Sequence, residues 1–397
     1  MLSVAQALQQ VIGGIEPLSA ETVKLDAAHG RILADDLAAR LTQPPFPSSA
    51  MDGYAVRRTD LQSLPATLSV IGESAAGHPF SGMVRTGEAV RIFTGAVVPD
   101  DADYIVIQEN VTATDKQIEI REIGAESHIR ERGGDFREGD TPLRAGRRLT
   151  PRDVLLAAQM NHAELPVRRK PKIAILASGD ELVPPGGELA PGQIISSIPA
   201  GLGAMLQSAG AAPVLLGIAG DTLEDLGRHI ANGHDADVLV TIGGASVGDH
   251  DLVRKALEMA GYEIGFHKIA MRPGKPLMSG MRGARRVIGL PGNPVSAMIC
   301  GLVFLTPLVA ALLGEDRPRS REILMPLAAS LTENGVRQHY MRAKFAIHEG
   351  REAVEPLPSQ DSSLTATLAA ADCLIVRAPN APALQAGANV PVIPLFP

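Results

Sequence analysis

From residue 172 to residue 290, short apolar runs alternate with amphipathic stretches of helical spacing, and that alternation leaves the chain few folds to adopt. Runs at 172–177, 213–218, 237–242, 264–269 and 286–290 have the length of strands. Helical patterns at 200–209, 223–231 and 251–260 separate them, and a long apolar helix at 294–314 follows the last. A strand that is apolar on both faces must be covered on both. The expectation is therefore an α/β domain whose parallel sheet lies between helical layers. Such sheets bind ligands outside the carboxyl ends of their strands. Three turns should lie there: Ser178-Gly179-Asp180-Glu181, Gly243-Gly244-Ala245-Ser246 and Leu290-Pro291-Gly292-Asn293-Pro294.

Elsewhere the period changes. Leu2, Ala5, Leu8, Val11, Ile12 and Ile15 recur at helical spacing. A second helix is expected near 151–161, with Thr150 as cap and Pro151 in the first turn. Between these helices, segments 66–71, 89–93, 104–107 and 117–119 are short and rich in Val, Ile and Thr, so a β-rich module is inserted there. Segments 323–331, 340–347, 371–377 and 389–395 suggest a small C-terminal β-barrel-like domain. The division expected is 1–45 with 141–170, 46–140, 171–315 and 316–397.

Charge narrows the function. A net charge of −7 argues against nucleic acid or an anionic membrane as the main partner, and 3% aromatics leave little for stacking bases. Residues 294–314 are long enough to span a bilayer, but they follow a strand and a tight turn and stand alone, so a buried helix is expected. Cys300 and Cys373 sit in apolar runs and read as buried thiols, which suits a reducing cytoplasm. The first ten residues lack the cationic start of a signal peptide.

Several groups could carry chemistry. Asn293 and Pro294 suit a helix start after a strand, which makes an anion site of free N–H groups, with Ser296 in the first turn. Lys268, Arg272 and Lys275 place three cations in eight residues, and Pro273, Gly274 and Pro276 stiffen the backbone around them; phosphate or another oxyanion suits such a loop, a solvated turn equally. Asp180, Glu181, Asp221, Asp249 and Asp251 fall at expected strand ends, where carboxylates beside phosphates suit Mg²⁺. The glycines of 243–248 let backbone approach a phosphate. Spacing alone gives Ser48-Ser49-Ala50-Met51-Asp52-Gly53-Tyr54-Ala55 no mechanism, and no Cys or His spacing suggests a metal site.

Five segments in order carry a family resemblance: Ser-Ala-Met-Asp-Gly-Tyr-Ala (49–55), Arg-Ile-Phe-Thr-Gly-Ala (91–96), Ser-Gly-Asp-Glu-Leu (178–182), Arg-Pro-Gly-Lys-Pro (272–276) and Gly-Leu-Pro-Gly-Asn-Pro-Val-Ser-Ala (289–297). Together they resemble the molybdopterin molybdenumtransferase family, to which the second catalytic domain of gephyrin-type proteins also belongs. Residues 337–342 and 359–363 fall, more loosely, on the family's Arg and Ser motifs. The resemblance implies an elongated four-domain homodimer in the cytoplasm, with the first division serving as linker and dimerisation domain. It implies Mg²⁺-dependent insertion of molybdate into adenylated molybdopterin with release of AMP. Partners implied are the small-molecule substrates, the molybdopterin adenylyltransferase and acceptor molybdoenzymes, with no nucleic acid and no membrane.

By position, Asp52, Glu181, Asp221, Asp251, Lys268 and Lys275 would be catalytic, and Glu181, Asp221 and Asp251 would hold the metal. Thr94, Asp135, Ser178, Gly179, Gly243, Gly244, Ser246, Arg272, Pro273, Gly274, Pro291, Gly292, Asn293 and Ser296 would bind the pterin, its phosphates or molybdate. Asp52, Thr94 and Asp135 would reach the cleft from the partner subunit. The chain departs from the family pattern at four places. Ser196-Ser197-Ile198 replaces Asp-Ser-Asn or Asp-Thr-Asn, Arg272 replaces Lys, Ile242 replaces Ser, and Gly133-Gly134-Asp135 replaces Gly-Glu-Asp. A catalytically weakened pterin-binding or scaffold paralogue is therefore the alternative expectation, and the pathway's adenylyltransferase, which shares the α/β domain, a third.

Overall fold

The computed structural model describes residues 1–243, 252–316 and 322–395. At its centre lies a six-stranded sheet of β1 (Lys172–Ser178), β2 (Ala212–Ala219), β3 (Val238–Ile242), β4 (Glu263–Phe266), β5 (Met278–Arg282) and β6 (Arg285–Leu290). Spatial order is β2-β1-β3-β6-β5-β4. The first four run parallel, whereas β5 and β4 are antiparallel additions. The sheet is thus mixed rather than wholly parallel. Strand β5 escapes a sequence reading because Ser279, Gly280 and Arg282 dilute its apolar pattern, and only Gly283 and Ala284 separate it from β6.

Successive residues of a strand point to opposite faces, and here both faces are buried. Ile173 and Ile175 of β1 pack with α1 (Ile198–Ala209) and the long helix after β6. Ala174 and Leu176 pack on the other side with α2 (Leu223–Asn232) and α3 (Leu252–Met259). The long helix spans Pro294–Leu312 and is long and apolar enough to cross a membrane, yet Ile299, Phe304 and Leu308 are core residues. Its middle turn, Gly301–Leu305, is a π turn. Pro307 supplies the cause: it has no N–H, and its ring would clash with the carbonyl of residue 303 in a regular helix. The Thr306 N–H instead reaches back five residues to the Gly301 carbonyl.

Both expected N-terminal helices form. Val4–Ile12 starts with a Ser3/Gln6 capping box, and Pro151–Gln159 with a Thr150/Asp153 one. Antiparallel bridges Ile32↔Arg148, Leu37↔Leu143 and Gln43↔Phe136 form a stalk to the inserted module. That module holds a six-stranded sheet with Gly53–Val56 in its interior. Any Cβ at Gly53 would run into the Val106 carbonyl, so only glycine lets this strand pair so closely. The C-terminal domain adds Gln338–His348, Arg351–Pro356, Cys373–Arg377 and Asn389–Pro394. Its sheet takes in Met271–Arg272 from the central domain, paired parallel to Gln338 and His339.

One buried ion pair ties the ends of the stalk and the central domain. Arg148 Nε donates to Glu315 at 2.7 Å and Nη2 at 2.5 Å, with the side chains 13% and 3% exposed. The guanidinium also donates to the Gly30 and Ala209 carbonyls. Removing one partner of a buried pair leaves an uncompensated charge. Glu315→Ala is expected to cost about 3 kcal/mol, read as a lower urea midpoint in equilibrium unfolding.

Candidate functional site

The carboxyl ends of β1, β3 and β6 meet. The Gly243 N–H donates to the Leu290 carbonyl at 3.2 Å, and the Ser178 hydroxyl to the Ile242 carbonyl at 3.4 Å. Gly243 has φ +91°, and a Cβ there would sit 2.7 Å from the Ser178 carbonyl oxygen. Gly292 backs onto Gly243, 3.6 Å from its Cα to an added Cβ. The turns bearing Ser178, Gly243, Pro291 and Gly292 thus form one crevice floor, at the point where strand order reverses about β1.

Acids rim one side. Gly179 has φ +148°, and the Glu181 carboxylate folds over it so closely that an added Cβ would lie 2.5 Å from Oε2. The Asp221 N–H donates to Asp180 Oδ1 at 3.0 Å, and the Gly220 N–H to Asp225 at 2.8 Å. That second bond, helped by Arg228, holds the Asp225 carboxyl below its ordinary range. Glu181 and Asp221 are exposed, and among the described residues their carboxylates make no hydrogen bond. Gly244, Ser246, Asp249 and Asp251 lie outside the described residues.

A cationic loop packs on the long helix. The loop of Lys268, Arg272, Pro273, Gly274 and Lys275 is closed by an Ile269 N–H to Lys275 carbonyl bond of 3.1 Å. Gly274, at φ +103°, sits directly against the Cys300 sulfur of the long helix, where no Cβ fits. Burial pushes the Cys300 thiol up to about 12, so this cysteine packs rather than reacts. Arg272 and Lys275 are exposed, Lys268 half-buried.

The helix start differs from expectation. Asn293 is the N-cap residue and Pro294 follows it, but the Asn293 side chain makes no capping bond. Its Oδ1 is buried without a partner. The Val295 N–H is already used, donating to the Ser362 carbonyl of the C-terminal domain at 3.3 Å. Ser296 lies in the first turn and is 6% exposed. Of the departures from the family pattern, Ile198 is in the hydrophobic core and Ser196 is buried.

The C-terminal domain contributes what sequence reasoning left out. His339, Arg342 and Arg377 are all buried, at 7%, 1% and 3% exposure. Arg342 donates to the Asp361 carbonyl at 2.9 Å. Arg377 Nη2 is held by the Thr332, Ala381 and Pro382 carbonyls, while Nε and Nη1 have no partner. Burial pushes His339 down to about 4, and Arg272, Arg337, Arg342 and Arg377 push the same way. Burial likewise lowers the two buried arginines. Asp361 acts on Arg342 as a counter-charge; positive charge is still in excess among these described residues, and a multiply charged anion would offset it. Only the cation-rich string Arg337 to Arg342 signals this in the sequence; that Arg272 pairs beside it does not.

Asp52 and Thr94 meet each other but not this crevice. Thr94 donates to Asp52 Oδ1 from its N–H at 2.7 Å and from its hydroxyl at 2.8 Å. Those two bonds hold the Asp52 carboxyl below its usual range. Asp135 is exposed, its N–H donating to the Gln43 carbonyl. Among the described residues, none of the three has a hydrogen bond or ion pair to the central domain.

Three family models match the chain: the MoeA N-terminal region (domains I and II) over residues 2–160, a probable molybdopterin binding domain over 174–311, and the MoeA C-terminal region (domain IV) over 325–395. A molybdopterin molybdenumtransferase of Haemophilus influenzae is 35% identical over 400 residues, covering 99% of this chain and 98% of its own. Molybdopterin molybdenumtransferase 2 of Mycobacterium tuberculosis is 37% identical over 333 residues, 81% of this chain and 82% of its own. The crystal structure of a molybdopterin biosynthesis MoeA protein of Pyrococcus horikoshii superposes with a TM-score of 0.85 at 28% identity, covering 100% of both chains.

The buried His339 makes stability depend on acid. Unfolded, its pKa returns to the ordinary 6.5; folded it is about 4. The unfolded state therefore gains a proton first, and stability present above pH 6.5 is lost as pH falls toward 4. His339→Gln is expected to flatten the fall in Tm across that window, measured by thermal unfolding from pH 7 to pH 4.5.

Proposed function

Because the chain belongs to the MoeA family of molybdopterin molybdenumtransferases, we propose that it is a transferase of molybdenum cofactor biosynthesis that inserts molybdate into adenylated molybdopterin and releases AMP. The observation that supports this best is the cluster of Arg272, Arg342 and Arg377 about the buried His339, with two Arg377 donors unpartnered among the described residues; in this reading it faces, with Lys275, an acidic rim at Glu181 and Asp221 across the crevice. Molybdate is a tetrahedral dianion, and as substrate it takes the cationic cluster. The buried Arg377 donors and the Arg272 guanidinium fix its oxygens, since planar forks hold oxyanions in one orientation. The pterin phosphates lie along the glycine floor at Gly179, Gly243 and Gly292, where no side chain keeps them from the backbone.

The acidic rim fits Mg²⁺. Its donors are all oxygen, and Mg²⁺ beside phosphates uses only one or two protein carboxylates. Glu181 and Asp221 would hold it, joined by Asp251. When bound, the metal neutralises charge on the phosphoanhydride as it breaks. The chain's own residues orient the two anions: Gly179 sets where Glu181 points, and Cys300 under Gly274 sets where the cationic loop stands. Asp52, Thr94 and Asp135 enter from a second copy in a homodimer. The Asp52 carboxylate, held by two bonds from Thr94, is preorganised and makes no bond to the central domain among the described residues. With both cysteines free and buried, the cytoplasm is the compartment that suits it.

A non-catalytic pterin-binding protein is the second reading, favoured by the buried Ile198 where the family has an amide. Purified protein with adenylated molybdopterin, Mg²⁺ and molybdate decides between them. AMP release is expected, and binding without AMP release would establish the second reading. Loss of a preorganised charge at a reacting site costs roughly 10²–10³ in rate. Glu181→Gln is expected to lower AMP release by about that factor. Lys275→Ala is expected instead to raise the molybdate concentration needed for half-maximal rate by about tenfold, about 1.4 kcal/mol.

A further inference from the structure

At the opposite end of the central sheet, where β1 begins, the fold forms a half-open pocket of about 140 Å³, with His29, Lys170 and Gln207 at its exposed rim. At about 3.3 Å per residue, roughly 20 Å of strand separates it from the crevice. Its walls come from two domains. His29, Arg31, Arg148 and Lys170 face it from the N-terminal region, and Gln207 from the carboxyl end of α1.

No carboxylate is among the residues that line it, although the whole chain carries a net charge of −7. Arg148 is committed to Glu315, and Arg31 to Glu21, both outside the lining. Lys170 and His29 have neither a hydrogen bond nor an ion pair among the described residues, and Gln207's amide has no side-chain hydrogen bond there. Among the described residues, the neighbouring Arg168 guanidinium donates to the Leu18 and Ala34 carbonyls. At the end of α1 Arg148 takes the Ala209 carbonyl, while Gly210 and Ala211 donate to those at Gln207 and Leu206. The space far exceeds the roughly 10–15 Å³ one water requires.

We propose that this cavity is a second anion site, taking a small multiply charged oxyanion of the phosphate class, free or esterified. Lys170 supplies the charge, while Arg31, His29 and Gln207 supply oriented N–H donors. Because its walls belong to two domains, occupancy holds the N-terminal region against the central one and stabilises the folded protein by mass action. The site is independent of the crevice chemistry.

The test reads Lys170 itself, so that anion binding in the crevice does not confuse it. Full-length protein is reductively methylated at constant ionic strength, with and without inorganic phosphate, and modification is counted by mass spectrometry. Phosphate is expected to slow labelling of Lys170 at least fivefold and to leave exposed Lys24 unchanged. In a parallel arm glycerol phosphate replaces phosphate; whichever protects at lower concentration identifies the source. Lys170→Glu is expected to lose most of the phosphate-dependent rise in Tm, and Lys170→Arg to keep it. Equal labelling of Lys170 with and without either anion overturns the proposal, as does an undiminished Tm response in Lys170→Glu.

Discussion

Burial of the central sheet on both faces is the constraint from which the rest follows. Ile173 and Ile175 go to one helical layer and Ala174 and Leu176 to the other. Covering both faces requires helices between the strands, and those crossovers make β2, β1, β3 and β6 parallel. Parallel strands end on the same edge, so every loop that leaves a strand's carboxyl end arrives at one crevice. A ligand site at that edge would therefore be a by-product of how apolar surface is covered. Its chemistry is written in loops that contribute little to the core.

The electrostatics of that edge are divided by domain. Acids come from the ends of β1 and β2, within the central domain. Cations come from the loop before β5 and from the C-terminal domain, joined through the pairing of Met271–Arg272 with Gln338–His339. Buried arginines such as Arg377, with two donors unpaired, are tolerated because carbonyls of Thr332, Ala381 and Pro382 hold one end of the guanidinium. A neutral His339 among them limits the repulsion.

Much of this was legible in the residues. The Thr150 cap, the alternation of the α/β domain and the meeting of the Ser178, Gly243 and Gly292 turns follow from local pattern and from one rule of sheet topology. Strand β5 was not, because a strand with Gly and polar residues looks like a loop until β6 and β4 pair with it. Asn293 looks like a capping side chain from its place before Pro294, but Ser362, 69 positions later, occupies the neighbouring N–H instead. Contacts at such separation leave no periodic mark.

By itself, then, the sequence determined the layers, the crevice edge and the residue types on it, since periodicity and glycine placement act over a few residues. Tertiary structure decided which charges share a space. Arg272, His339, Arg342 and Arg377 come together only because one strand of the C-terminal sheet borrows two residues from the central domain, and the cation-lined pocket beneath β1 exists only because two domains meet around it. Coulomb interaction depends on distance through space, and distance along the chain does not report it.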